Sequence, residues 1–351
     1  MQEQESVGAL TTDDFILNEY KARQLWERRE YVDAIEHTRS AAETAAARSD
    51  EAGWWRMTYL LAECQRELGL IDECVKTTKL LSDHRLTLED PELAAKAKAL
   101  RSAGLRSLGQ LPEALKVARE AALEFPETGH GSRGKHEAQQ VLVAVLAETG
   151  NLEDAWREAQ TLASMVDDAT EPEKAGKSYW VVGNVAFLSG RNQEGAKYHD
   201  LAATRISPSN DVNLWAHFNK ASAFMRLTAN LVEPETLQCI ERAEMAISVS
   251  KGTLQDELDI DVIRAHWRYL TGDIAEAKAQ MDRTMMHANV MSPLSEGDAR
   301  LLYARILHAN GNTAAAVQEA TSSVTMFDEV GSIVRADLAR NFLSEIGAVS
   351  S

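Results

Sequence analysis

The run Gly129-His-Gly-Ser-Arg-Gly134-Lys135-His136 holds the residue types best suited to chemistry. Its spacing follows a phosphate-cradling loop up to the last position. There His136 replaces the Ser or Thr that would hold magnesium. Such a loop needs a strand before it and a helix after it, so that backbone amides ring the phosphate. A helical pattern precedes this run, so it reads as a connection between helical units. A second group, Met281, Met285, Met286, His287 and Met291, carries the soft ligands of a copper-type site. It lies on a helical stretch where methionines fill core gaps. Cys64, Cys74 and Cys239 have neither metal nor disulfide spacing, and the nine histidines show no HExxH pattern. No Gly-x-Ser-x-Gly elbow occurs. The expectation is a chain with no catalytic residue, no metal and no cofactor, and so no enzyme.

Other side chains gain meaning only from the elements that position them, and a repeated turn sets those elements. In Glu148-Thr-Gly150-Asn-Leu-Glu-Asp154-Ala155, Gly150 supplies the left-handed backbone that ends a helix. Asn151 is placed to cap the next helix, and Glu153 and Asp154 put negative charge in its first turn. Copies start at Gly69, Gly109, Gly190, Gly272 and Gly311, with a version lacking glycine at Arg29 and a degraded one near Ala229-Asn230. Positions 29, 69, 109, 150, 190, 229, 272 and 311 are 39 to 43 residues apart. Seven residues before each turn a small residue recurs: Ala22, Ala62, Ser102, Gly183, Ser222, Ala265 and Ala304, with Val143 the exception. A small residue at minus seven and another at plus five, such as Ala155, lets two helices of one unit pack closely.

These offsets resemble the tetratricopeptide repeat (TPR), a helix-turn-helix unit that stacks into a solenoid. The usual period is about 34 residues. The longer period here is similar to the repeat domains of bacterial peptide-sensing regulators. The resemblance implies an all-α fold: an α-solenoid of about eight TPR-like hairpins over residues 13–330. A flexible tail over 1–12 precedes it and a C-terminal capping helix and tail over 331–351 follow. Counting helices gives about seventeen, with Arg335, Asp337 and Arg340 on the exposed side of the cap.

In the solenoids this chain resembles, the first helix of each pair lines a concave groove. Positions minus three, minus six and minus ten from each turn then face inward. They place Arg66, Arg106, Trp180, Asn184, Phe187, Asn219, Arg226, His266, Tyr269 and Arg305 on that face, with Glu63 as an acid among them. Asparagines can bond an extended peptide backbone, arginines can grip a carboxylate in a fork, and aromatics can form apolar pockets. The expected partner is therefore a peptide or protein segment. A second reading is a peptide-responsive sensor acting through a separate DNA-binding or effector protein, since no DNA-binding helix-turn-helix is evident. A third is a self-associating scaffold, such as a homodimer, joined through Trp54 or Trp55.

Composition narrows the field further. With 37 basic and 54 acidic residues the net charge is −17, the opposite of what phosphate contacts require. Direct nucleic-acid binding and an anionic membrane surface are both disfavoured. The polar, acidic first residues are unlike a signal or transit peptide, and no apolar run approaches a membrane span. The expected location is the cytoplasm.

Overall fold

The eight turns of the repeat pass through the left-handed region, at Arg29, Gly69, Gly109, Gly150, Gly190, Asn230, Gly272 and Gly311, with φ between 57° and 89°, and among the described residues Ser49 and Gly331 do so as well. In the founding copy the amide of Asn151 donates to the Leu146 carbonyl at 2.9 Å and that of Gly150 to the Ala147 carbonyl at 3.2 Å. This double closure satisfies the orphan carbonyls of the helix end. It recurs from Leu70 to Gln65, Arg191 to Ala186, Asp273 to Arg268 and Asn312 to Leu307. Asn151 does not cap as expected. Its side chain makes no cap bond and donates instead to Thr149 Oγ1 at 2.9 Å. The sixth turn is also displaced. Leu231 closes onto Arg226, so the left-handed residue is Asn230, one later than the sequence ruler sets it.

The computed structural model describes residues 12–124, 133–250 and 252–349. The tail over 1–11 and residues 129–132 of the phosphate-loop-like run lie outside the described residues. In chain order the helices are α1 (Thr12–Glu27), α2 (Tyr31–Ala47), α3 (Glu51–Glu67), α4 (Ile71–Ser82), α5 (Arg85–Glu89) and α6 (Pro91–Ser107). Next come α7 (Leu111–Leu123), α8 (Arg133–Glu148), α9 (Leu152–Ser164), α10 (Pro172–Leu188), α11 (Asn192–Ala203) and α12 (Val212–Thr228). The last are α13 (Pro234–Ser250), α14 (Leu254–Leu270), α15 (Ile274–Thr284), α16 (Pro293–Ala309), α17 (Thr313–Glu329) and α18 (Ile333–Val349). The first members of the pairs (α1, α3, α6, α8, α10, α12, α14 and α16) are each 16 or 17 residues long, which produces the long period. The helix beyond the expected seventeen is α5, one short turn before Asp90-Pro91. The carboxylate of Asp90 accepts from the amides of Glu92 and Leu93, and Pro91 takes the first helical position. The chain is thus an all-α repeat protein with TPR-like architecture.

Two compact units can be distinguished. Unit 1 comprises Met1–Leu108 and Lys116–Ala138. Its core joins Phe15, Ala22, Ala34, Ala41, Met57, Leu60 and Cys64. Trp55 is buried and its indole donates to Thr87 Oγ1 at 2.7 Å, while Trp54 is half-buried and stacks on His84 at 4.6 Å. Trp55 is therefore not part of an exposed apolar surface, whereas Trp54 is partly exposed.

Unit 2 comprises Gly109–Leu115 and Gln139–Ser351. Glycines set its closest helix approaches. A Cβ at Gly183 would lie 2.2 Å from the His199 ring, and one at Gly195 would lie 2.7 Å from Phe187. These are positions minus seven and plus five of one turn, where the sequence calls for small residues. Met281 and Met291 belong to the core around α14, α15 and α16, so those sulfurs pack rather than converge on solvent. The capping helix α18 buries Ala336, Ala339, Phe342 and Ile346 against α16 and α17. Arg335 is not exposed as expected; it turns inward to pair with Asp298 at 3.2 Å. The entry to α18 also meets a distant turn, where Ser332 Oγ donates to the Glu148 carbonyl at 3.4 Å. Among the described residues no helix is long and apolar enough to cross a membrane.

Candidate functional site

The first helices of the pairs, helix A of each, form a face of unit 2 that is built outward from one buried histidine. His199 on α11 is fully enclosed, its Nδ1 lies 3.0 Å from Ser222 Oγ and its Nε2 3.0 Å from Asn184 Oδ1. The amide oxygen of Asn184 can only accept, so Nε2 carries the ring hydrogen and Nδ1 accepts from the Ser222 hydroxyl. Ser222 accepts in turn from the Cys239 thiol at 3.7 Å. Burial first and the nearby Arg226 second push the His199 pKa down to about 3, against the pull of a hydrogen bond to the Trp180 backbone, so the ring is neutral. Asn184 is thus held by its oxygen. Its amide group has no partner among the described residues, and two fixed N–H donors are presented from a half-buried site on α10.

Phe187 and Trp180 flank Asn184 one turn away on either side. Phe187 is buried over Gly195 and meets the His199 ring edge-on at 5.1 Å. Trp180 is half-buried and meets Phe218 edge-on at 5.8 Å, with its indole nitrogen buried and unbonded.

Asn219 and Arg226 are placed differently from the expectation. Because the turn falls at Asn230, they stand at minus eleven and minus four, a rotation of about 100° on the helix. Asn219 is 1% exposed and donates to the Trp215 carbonyl at 2.7 Å. Arg226 is 3% exposed and its guanidinium is taken by Asp200 at 3.0 Å and Glu233 at 3.5 Å. The corrected register brings Phe224 and Lys220 to minus six and minus ten. Lys220 bridges Asp256 and Asp259, both at 2.9 Å. A non-glycine residue at the turn concealed this shift in the sequence.

Farther along unit 2, His266 and Tyr269 project from α14 and Arg305 from α16. His266 is 7% exposed, and burial followed by the field of Arg305 pushes its pKa down to about 3. Arg305 lies 6.0 Å from the Phe342 ring of α18 and makes no ion pair among the described residues. Tyr269 is half-buried beside them in sequence register. In unit 1, Arg66 pairs with its neighbour Glu67 at 2.7 Å, and Arg106 is half-buried in the last turn of α6.

Sequence reasoning missed the cleft within unit 2. It is lined by Ala147, Leu188, Phe224 and Met225 from the helix-A ends, and by Val334 and Leu338 from α18. Asp298 and Arg335 stand at its polar side. Their contact joins residues 37 apart, and no local pattern announces it.

No protein-family model matches the chain, and no curated protein matches it. Solved structures do. A Rap protein complexed with competence and sporulation factor has a TM-score of 0.60 at 11% identity, covering 99% of this chain and 88% of that one. A phAimR–ligand structure has a TM-score of 0.56 at 12% identity, covering 98% of each chain. The Rap conjugation gene regulator of plasmid pLS20, in complex with a peptide, has a TM-score of 0.53 at 13% identity, covering 95% of this chain and 82% of that one. At these identities the likeness is one of fold.

Proposed function

We propose that this chain is a non-enzymatic, cytoplasmic peptide-binding scaffold whose helix-A face receives an extended peptide. The observation that carries this reading is Asn184. A buried, neutral histidine fixes its oxygen, which leaves its amide donors oriented before any ligand arrives. Preorganised donors lose little entropy on binding, so each bond to a peptide carbonyl yields more of its net strength. Trp180 supplies an adjacent apolar ring and Arg305 an unpaired cation. Tyr269 is a further contact candidate within unit 2, whereas Asn219, Arg226 and Phe187 support the face from beneath. Two of the structures similar in fold are complexes with a named factor or a peptide, which agrees with this reading.

Selection from a short random-peptide library, then calorimetry of the recovered sequence, tests the proposal. Asn184→Ala is expected to weaken binding roughly five- to tenfold, about the net strength of one or two hydrogen bonds. Equal affinity for wild type and an Asn184→Ala/Arg305→Ala double variant would remove this face as the site.

A second reading is a peptide-responsive regulator acting through a separate effector. It is favoured by the fold shared with a conjugation gene regulator solved with its peptide. A peptide-dependent change in a co-purifying effector's retention would distinguish it from a passive scaffold.

A further inference from the structure

We infer that the outer face of α1 is a self-association surface, on which α1 of a second copy of this chain packs antiparallel. The face carries none of the residues assigned to peptide, so this inference and the peptide-binding reading stand or fall separately. Three observations carry it.

First, α1 exposes the positions that later first helices use to stack on the preceding pair. Nine and twelve residues before its turn, α3 places Leu60 and Met57, which pack with Ala34 and Ala41 of α2. At the same offsets Ile263 and Ile260 of α14 join the core of α12 and α13. Leu302 and Ala299 of α16 join the core of α14 and α15 in the same way. All six are buried. In α1 the two offsets fall on Tyr20 and Leu17, which are 62% and 51% exposed, and Ile16 beside them is 57% exposed.

Second, this face lacks the polar cover that the end of a repeat array needs to remain soluble. Along α18 the exposed residues are mainly polar: Asp337, Arg340, Asn341, Ser344 and Glu345. In α1, Phe15 and Ala22 turn into the core, and Leu17 and Tyr20 point to the opposite side of the helix. With Ile16 they form an apolar patch on the order of a few hundred Å², a size at which surface patches are often functional.

Third, the order of charge along α1 is self-complementary. Asp13, Asp14 and Glu19 lie in its first half with no base among them. Lys21, Arg23 and Arg28 follow in the second half and the turn, against one acid, Glu27. A second α1 laid antiparallel sets an acidic half against a basic half twice, whereas a parallel one sets like against like. Glu19 is already held by Arg23 at 2.8 Å. Asp13, Lys21 and Arg28 are exposed and make no ion pair among the described residues. A two-fold axis near Tyr20 brings Asp13 of each copy toward Arg28 of the other. Each contact then occurs twice, as an isologous pairing requires. The apolar centre supplies the affinity and the charged ends fix the direction. The two faces together bury on the order of 1,000 Å², the lower edge of a specific interface, so the pairing is reversible.

Sedimentation velocity of the 351-residue chain tests this. A monomer–dimer equilibrium is expected over roughly 5 to 200 μM. Leu17→Glu should raise the dissociation constant about tenfold or more, as the loss of a central apolar contact does. Its thermal midpoint in dilute solution should match that of the wild type. Should that variant fold poorly, Leu17→Gln replaces it, with a smaller rise expected. Asp13→Arg and Arg28→Asp should each weaken the dimer, and the Asp13→Arg/Arg28→Asp double variant should regain most of the affinity. A chain that stays monomeric, a dimer indifferent to both Leu17 variants, or a double variant no better than the single ones overturns the inference. So does a monomeric full chain that dimerises once residues 1–11 are removed, because the occupant of the face is then the chain's own tail.

Discussion

At the scale of single residues, His199 and His266 are the most consequential side chains, because both are buried and neutral. Each has its pKa lowered from 6.5 to about 3. Between those values the unfolded chain binds protons that the folded chain does not. The stability they contribute is therefore full above about pH 6.5 and lost as pH falls, at up to ~1.4 kcal/mol per pH unit for each. Urea midpoints measured from about pH 5 to 7 should rise with pH. His199→Phe, which cannot titrate, should remove its share of that slope even though it lowers the midpoint overall. The glycines opposite these rings are equally committed. Gly183→Ala would drive a methyl to 2.2 Å from the His199 ring and displace Asn184's anchor. A loss of about 1–3 kcal/mol is expected from such overpacking, read from the same denaturation curves.

At the scale of elements, the turn determines which way every first helix faces. Six of the eight left-handed residues that close these helices are glycines, and Arg29 and Asn230 are not. A non-glycine side chain in that region costs on the order of 1–2 kcal/mol, less for asparagine. Arg29→Gly should therefore raise the thermal midpoint, whereas Gly150→Ala should lower it by a comparable free energy; differential scanning calorimetry of both reads the pair. Helix propensity and period made the helices legible in the sequence, and glycine marked their ends. At Asn230 the missing glycine left the end ambiguous by one residue. One residue is about 100° of helix, enough to move Asn219 and Arg226 from the open face into the packing.

At the scale of the molecule, unit 2 departs from a purely nearest-neighbour array. Repeat proteins gain stability mainly from adjacent units. Here Ser332, at the entry to α18, reaches the carbonyl of Glu148, 184 positions away, and Arg335 buries its charge against Asp298 beside the same cleft. Burial pushes the Asp298 carboxyl above its ordinary range against the opposing pull of Arg335, so the pair is mutually dependent. Arg335→Met would leave Asp298 uncompensated. A loss of about 3 kcal/mol is expected, with part of it recovered in Arg335→Met/Asp298→Asn. Hydrogen exchange should then quicken at residues 145–151 of the fourth turn as well as in α18, a coupling that a chain of independent neighbours would not show.

The sequence by itself determined the all-α class, the repeat length, the sites of helix closure other than the sixth, and the small residues at minus seven and plus five. All of these depend on local backbone preference and on spacing along one chain. Tertiary structure alone decided which inward candidates remain available. Asn184 is available because His199, 15 residues on, holds its oxygen, and Ser222 and Cys239 complete that network from other helices. Arg226 is not, because Asp200 and Glu233 reach it first. A hydrogen-bond partner is fixed by distance in space, and no period along the sequence encodes it.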